Sequence, residues 1–195
     1  MSSEARGLVA LDTLNLMTVG SLFSGIGGFD LGFEQAGIEV RWQVENDPFC
    51  TRVLGARWPH ARRLGDIQTV CADDLEHVDV ITAGVPCQDV SIAGKRAGLS
   101  GACTGLFFEF VRLLDEIKPT WFCFENVPGL ISSHGGRDFS TVLDAFRQCG
   151  FLDGAYAVYD SRFFGVPQRR RRVFVVGHRG TGERARAVLL EPEGG

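Results

Sequence analysis

Nowhere in its 195 residues does the chain hold an apolar run near the ~18–20 residues that span a bilayer, so no membrane helix is expected. Its first residues, MSSEARGLVALDTLNLMTVG, lack the basic stretch, continuous apolar core and small-residue cleavage site of a secretory signal. Residues 1–17 therefore read as a short leader, and the expected location is the cytoplasm. The six cysteines, Cys50, Cys71, Cys87, Cys103, Cys123 and Cys149, include no pair at C-x2-C or C-x4-C spacing, which removes the common zinc patterns. A chain inside the cell also has little use for disulfides. Positive charge is not in excess: 20 Lys and Arg stand against 24 Asp and Glu, a net −4. Generic polyanion binding is excluded, and any nucleic-acid contact has to come from a local basic patch. One run qualifies, Arg169, Arg170, Arg171 and Arg172, although such runs also serve simply as solvated faces.

What is present is a globular composition, 45% hydrophobic and 23% charged, on a length that suits one domain. Apolar runs bounded by Gly, Pro and Asp alternate with helical patterns. TVGSLF (18–23), EVRWQV (39–44), VDVITA (78–83) and TWFCF (120–124) read as strands. FDLGFEQAG (29–37), ending at Gly37, and PFCTRVLGARWP (48–59), starting at Pro48, read as helices. So do GLFFEFVRLLDEIKP (105–119) and FSTVLDAFRQCG (139–150). GAYAVYD and RRVFVVGH close the series as a strand pair. Alternation of this kind predicts an α/β fold, a doubly wound and mostly parallel sheet over residues 18–180, with 181–195 as a polar tail.

Open α/β sheets bind ligands beyond the carboxyl ends of their strands. Here those ends are the Ser24–Gly28 loop, Glu45, Asp66, Pro86–Cys87 and Glu125–Asn126. A glycine loop between strand and helix can offer backbone N–H groups to an anion, though glycines also serve tight turns and close packing. Glu45 lies 20 residues after Gly25, where a carboxylate can hold ribose hydroxyls. The glycines run G-x-G-G, which suits a nucleoside bearing a carboxylate better than one bearing a pyrophosphate. S-adenosylmethionine is such a ligand, with Asp66 placed for its adenine amino group and Phe23 for the ring face. A cysteine is commonly a small buried hydrophobe, and Cys50, Cys71, Cys103, Cys123 and Cys149 take that reading. Cys87, on a loop at the ligand edge, is instead placed as an exposed thiolate, with Glu125 across the same pocket to move a proton.

These stretches closely resemble the cytosine-C5 DNA methyltransferase family. SLFSGIGGFDLGFEQAG is similar to its cofactor loop, ENDPFC to its ribose motif and GDI to its adenine motif. GVPCQDVSIAGKRAGL is similar to its nucleophile motif, FENVPGL to its Glu-Asn-Val motif and QRRRRVFVVG to its Gln-x-Arg-x-Arg motif, all in the family's order over residues 18–178. The resemblance implies methyl transfer from S-adenosylmethionine to C5 of a cytosine flipped out of double-stranded DNA, through a Cys87–C6 adduct. It assigns catalysis to Cys87, Glu125, Asn126 and Arg172, with Asn126 helping to hold the Glu125 carboxyl. Cofactor binding falls to Phe23, Ser24, Gly25, Ile26, Gly27, Gly28, Glu45, Asp66, Ile67, Pro86 and Leu106. DNA contact falls to Gln88, Ser91, Lys95 and Arg96 on a glycine-rich loop and to Gln168 and Arg170, which alternate with Arg172 on one face. Arg169 and Arg171 are left to solvent or structure.

Two departures stand out: Cys103 occupies a place where many relatives carry arginine, and the sequence stops after the sixth motif. The expectation is the catalytic half of a split enzyme, bacterial or phage-encoded, with target recognition on a second polypeptide and a restriction endonuclease as a further partner of the same system. A truncated remnant that binds at most cofactor and an RNA-directed relative are the alternatives. A nicotinamide-dependent oxidoreductase would leave Pro-Cys-Gln and Glu-Asn-Val without a task.

Overall fold

The computed structural model describes residues 17–86, 105–180 and 184–189. Cys87, Gln88, Ser91, Lys95, Arg96 and Cys103 lie outside these described residues. Seven strands form one sheet: β1 (Thr18–Leu22), β2 (Glu39–Val44), β3 (Arg62–Leu64), β4 (Val80–Gly84), β5 (Trp121–Asn126), β6 (Asp153–Asp160) and β7 (Arg171–His178). Their order is β3-β2-β1-β4-β5-β7-β6. The first five are parallel to one another, while β7 runs antiparallel to both β5 and β6. This is the expected α/β architecture. No helix among the described residues is long and apolar enough to cross a membrane.

Helices α1 (Gly28–Gln35) and α2 (Pro48–Arg57) follow β1 and β2, and α3 (Leu106–Ile117) follows β4. A single turn, α4 (Gly129–Ser132), and α5 (Arg137–Gln148) follow β5. The sheet separates two cores because successive strand residues face opposite sides. Val19, Val40 and Val80 meet Leu54 and Trp58 of the α2 region, in a small core. Leu22, Ile81, Phe122 and Phe124 point the other way, into a larger one. There α3 supplies Phe107, Phe110, Val111 and Leu114, an i, i+3, i+4, i+7 stripe. Phe146 of α5 is seated among Phe107, Phe110, Phe122 and Phe124, with ring centroids 4.2 Å apart for the Phe122 pair. Helix starts follow local chemistry. Asp47 caps α2 by accepting from the Cys50 N–H at 2.8 Å, with Pro48 as the first helical residue.

Several boundaries differ from the sequence reading. β5 continues through Glu125 and Asn126, because the antiparallel ladder with β7 extends to the Asn126–Val173 pair. The segment expected as a polar tail contains a short helix, α6 (Arg184–Leu189). Ala185 is buried there and its N–H donates to Asp153 on β6, so the turn docks on the last hairpin.

Below the loop after β1 lies a buried polar junction. Asp30, fully buried on the first turn of α1, accepts at Oδ1 from the Ser21 hydroxyl (2.8 Å) on β1 and the Gln43 amide (2.9 Å) on β2. Ser21 also bonds the Ser24 hydroxyl at 2.6 Å, so the loop, the helix and two strands share one network. Asp30 Oδ2 has no hydrogen-bond partner, and burial raises the carboxyl's pKa above its ordinary value. Gly27 has φ +89, and a Cβ there would lie 2.3 Å from the Trp58 ring. This glycine serves close packing, one of the two uses open in the sequence.

Two outcomes follow. Gly27→Ala adds a left-handed backbone penalty to an overpacking penalty and should cost about 2–4 kcal/mol. Urea unfolding reads this, and a loss under 1 kcal/mol would contradict the packing role. For Asp30 the raised pKa means the folded state holds its proton to higher pH than the unfolded chain does. The burial penalty is thus present above the folded pKa and relieved as pH falls through it. Measured against Asp30→Asn, the wild-type chain should gain stability as the pH falls from 7 toward the carboxylate range; a pH-independent gap would contradict this.

Candidate functional site

The five parallel strands deliver their carboxyl ends to one edge, and a cleft of about 230 Å³ opens there. Phe23, Glu45, Asp66, Ile67, Pro86 and Leu106 line it, bringing together six of the residues singled out from sequence. Val44, Asn46, Gly65 and Gly84 complete the lining. Phe23 has φ +54, a left-handed value uncommon for an aromatic residue, at the point where β1 turns into the loop. Leu106 enters from the start of α3.

Glu45 braces its own surroundings. Oε2 accepts from the Gly25 N–H at 2.7 Å and Oε1 from the Asp47 N–H at 2.8 Å, which fixes the carboxylate at the cleft wall. The Gly25 N–H is therefore committed to Glu45, where the sequence reading had offered the loop's N–H groups to a ligand anion. Ser24, Gly25, Ile26, Gly27 and Gly28 are not among the lining residues. The Ser24 hydroxyl turns inward to Ser21, Gly27 backs onto Trp58, Gly28 opens α1, and Ile26 is 61% exposed. Asp66 caps the turn Ile67–Thr69 by accepting from the Gln68 N–H at 3.0 Å.

Gly84 joins this cleft to a second group of side chains. A Cβ at Gly84 would sit 3.6 Å from Glu125 Oε2, so the glycine leaves the carboxylate and the cleft in immediate contact. Glu125 Oε1 is held by Arg172 Nε at 2.7 Å and lies 3.5 Å from an Arg170 terminal nitrogen. The alternation expected of Arg170 and Arg172 thus appears as two guanidiniums converging on one carboxylate. Gln168 is exposed, and its carbonyl accepts from the Ser161 hydroxyl at 2.5 Å.

The expected support of Glu125 by Asn126 is not what the structure holds. Adjacent residues of a strand face opposite ways, and Asn126 is buried on the other side of β5 from Glu125. Its amide donates to the Val85 carbonyl at 3.0 Å, and its own Oδ1 accepts from the Val127 N–H at 2.9 Å. Asn126 therefore ties β5 to the segment that leads through Pro86 toward Cys87, a link that no spacing in the sequence announces. Of the cysteines expected to be small buried hydrophobes, Cys149 is buried, Cys50 and Cys123 are partly buried, and Cys71 is exposed, against that expectation; burial pushes the Cys123 and Cys149 thiols up to about 12 and about 11. Among the described residues no group of His, Cys, Asp and Glu side chains could hold a metal ion.

The chain is 37% identical to the Type II methyltransferase M.NgoPII of Neisseria gonorrhoeae over 86% of its length, covering 49% of that protein. It is 35% identical to a protein of Escherichia phage P1 named a DNA N-6-adenine-methyltransferase, covering 90% of this chain and 30% of that one. The chain thus spans half or less of these relatives. A solved structure of Spodoptera frugiperda DNMT2 shares the fold, with a TM-score of 0.65 at 23% identity over 84% of this chain and 50% of that one. The family model for C-5 cytosine-specific DNA methylases matches residues 17–189, and the chain belongs to that family.

Proposed function

We propose that this chain carries the catalytic and cofactor-binding part of a DNA (cytosine-5-)-methyltransferase, and that the cleft lined by Phe23, Glu45 and Asp66 holds S-adenosylmethionine. The fit rests on the donor set. A carboxylate at the end of β2, already oriented by two backbone N–H groups, keeps lone pairs for ribose hydroxyls. Asp66 can accept from an adenine amino group, while Phe23, Ile67, Pro86 and Leu106 give the heterocycle apolar surface. When bound, S-adenosylmethionine supplies an electrophilic methyl group, which a cytosine C5 made nucleophilic can take up.

Making C5 nucleophilic is the task of the chain's own residues. The Cys87 thiolate forms a bond to C6 of the flipped cytosine, and the C5–C6 double-bond electrons move toward C5 and N3. Glu125 in its protonated form donates its proton, or a hydrogen bond, to N3 as that charge develops, and Arg172 fixes the Glu125 carboxyl through Oε1. Loss of the C5 proton to a base and breakage of the S–C6 bond then restore the aromatic ring and the free thiolate. Asn126 is a positioning residue, holding the Val85 carbonyl close to the site from which Cys87 must act. Transfer to an exocyclic adenine nitrogen needs no such nucleophile. The observation that carries the proposal is the Arg172–Glu125 pair standing beside the Gly84 wall of the cleft.

Incubation with methyl-labelled S-adenosylmethionine and duplex DNA, followed by digestion to nucleosides, tests the assignment. Label is expected in 5-methyldeoxycytidine, and Cys87→Ser should abolish it; label in N6-methyladenine, or only in RNA, would refute the reading. Glu45→Ala should weaken S-adenosylmethionine binding by roughly 10–100-fold, the loss of hydrogen bonds to a charged group. Unchanged affinity by calorimetry would remove Glu45 from the cofactor site.

A further inference from the structure

The four arginines 169–172 do not share one task. Arg170 and Arg172 turn to Glu125; within β7 Arg171 faces away from Arg172, and Arg169, in the turn before the strand, lies on the same side as Arg171. There they line a groove of about 380 Å³ with Asp160, Arg162, Phe163 and Phe164, at the hairpin joining β6 to β7. The groove carries three guanidiniums and one carboxylate, about +2 in a chain of net −4. Its one carboxylate is bonded by Arg162 at 2.9 Å, and that hydrogen bonding, helped by the nearby charges of Arg162 and Arg169, holds the Asp160 pKa below its ordinary value. Among the described residues neither Arg169 nor Arg171 has a carboxylate within ion-pair distance. Both are exposed, and Phe163 beside them is 82% exposed.

Exposed guanidiniums outside ion-pair distance of any described carboxylate, on a local positive groove, are suited to phosphodiester oxygens, which they can meet with two parallel N–H donors. From this arrangement we infer a second DNA contact, in which Arg169 and Arg171 clamp backbone phosphates of the duplex whose target base is presented to Glu125. That DNA is the occupant rests on the proposed function. The contact is independent of sequence, because phosphates are the same at every step. One run of four arginines thereby serves two faces: even-numbered positions attend the reacting base and odd-numbered positions hold the strand. The exposed apolar surface of Phe163 gives the sugar edge of that strand a place to rest, while Arg162 lies over its ring at 5.8 Å.

The test uses a labelled duplex without cytosine or guanine, so that base recognition contributes nothing. Its affinity is measured between 50 and 300 mM salt for the wild-type chain, R169A/R171A and R169K/R171K, with thermal unfolding to confirm that each variant folds. R169A/R171A should weaken binding about tenfold at 0.1 M salt and lower the slope of log K against log salt by about 2, the loss of two phosphate contacts. R169K/R171K should keep the slope. S-adenosylmethionine affinity should be the same in all three. An unchanged slope in R169A/R171A, or no duplex binding by the wild-type chain, overturns the clamp. Failure of the methyltransferase reading looks different: the clamp would bind this duplex as described while cytosine-containing DNA stayed unmethylated.

Discussion

The direction of β7 is the constraint on which the site depends. Five strands run parallel and place their carboxyl ends at one edge, so a sixth parallel neighbour of β5 would bring only its own carboxyl end there. Because β7 enters antiparallel, its amino end arrives at that edge instead. The arginines that precede and open β7 are thereby carried to the end of β5, and Arg172 meets Glu125 at 2.7 Å. Both side chains are about one-fifth exposed, so the pair is shielded from solvent more than an ordinary surface ion pair. Reversing one strand converts a basic run on a hairpin into the electrostatic support of a carboxylate beside the cleft.

The cleft itself is organised from beneath. Asp30 gathers Ser21, Gln43 and, through Ser21, Ser24 into one buried network. This fixes the start of α1 against β1 and β2 by hydrogen bonds, on a helix whose only buried residue is Asp30 itself. The loop above it is held in turn by Glu45 through the Gly25 N–H. Two carboxylates of the cleft, Glu45 and Asp66, are thus held by backbone N–H groups, which fixes their orientation in advance. The cost is a carboxyl with one oxygen unpartnered in the interior.

Much of this was legible in the sequence, because it depends on local periodicity and on chain order. The i, i+3, i+4 stripe of α3, the Asp-Pro start of α2 and the apolar parallel strands each carry their own signal. Alternation of strands with helices then brings Phe23, Glu45, Asp66 and Pro86 to one edge without any knowledge of register. Apart from the shared side of Arg170 and Arg172, what depends on register or on side-chain direction is not legible there. The Glu-Asn-Val resemblance implies that Asn126 supports Glu125, yet neighbours in a strand face opposite sides. The loop glycines were read as a set, whereas Gly25 serves Glu45 and Gly27 serves Trp58. The sequence assigns Arg169 and Arg171 only to solvent or structure, because a groove formed by a hairpin exists only once β6 and β7 have paired.

Chemically, the account comes to rest on a thiol. In the proposed reaction, Glu125 and its arginine partner act only together with a nucleophile that adds to C6 of the cytosine. Duplex DNA carrying 5-fluorocytosine tests this directly, since fluorine at C5 cannot leave as a proton does and the covalent intermediate persists. In the presence of S-adenosylmethionine the account predicts a denaturation-resistant protein–DNA adduct that peptide mass spectrometry maps to Cys87 and that Cys87→Ser eliminates. An adduct undiminished in Cys87→Ser, or mapped to another cysteine, would contradict it.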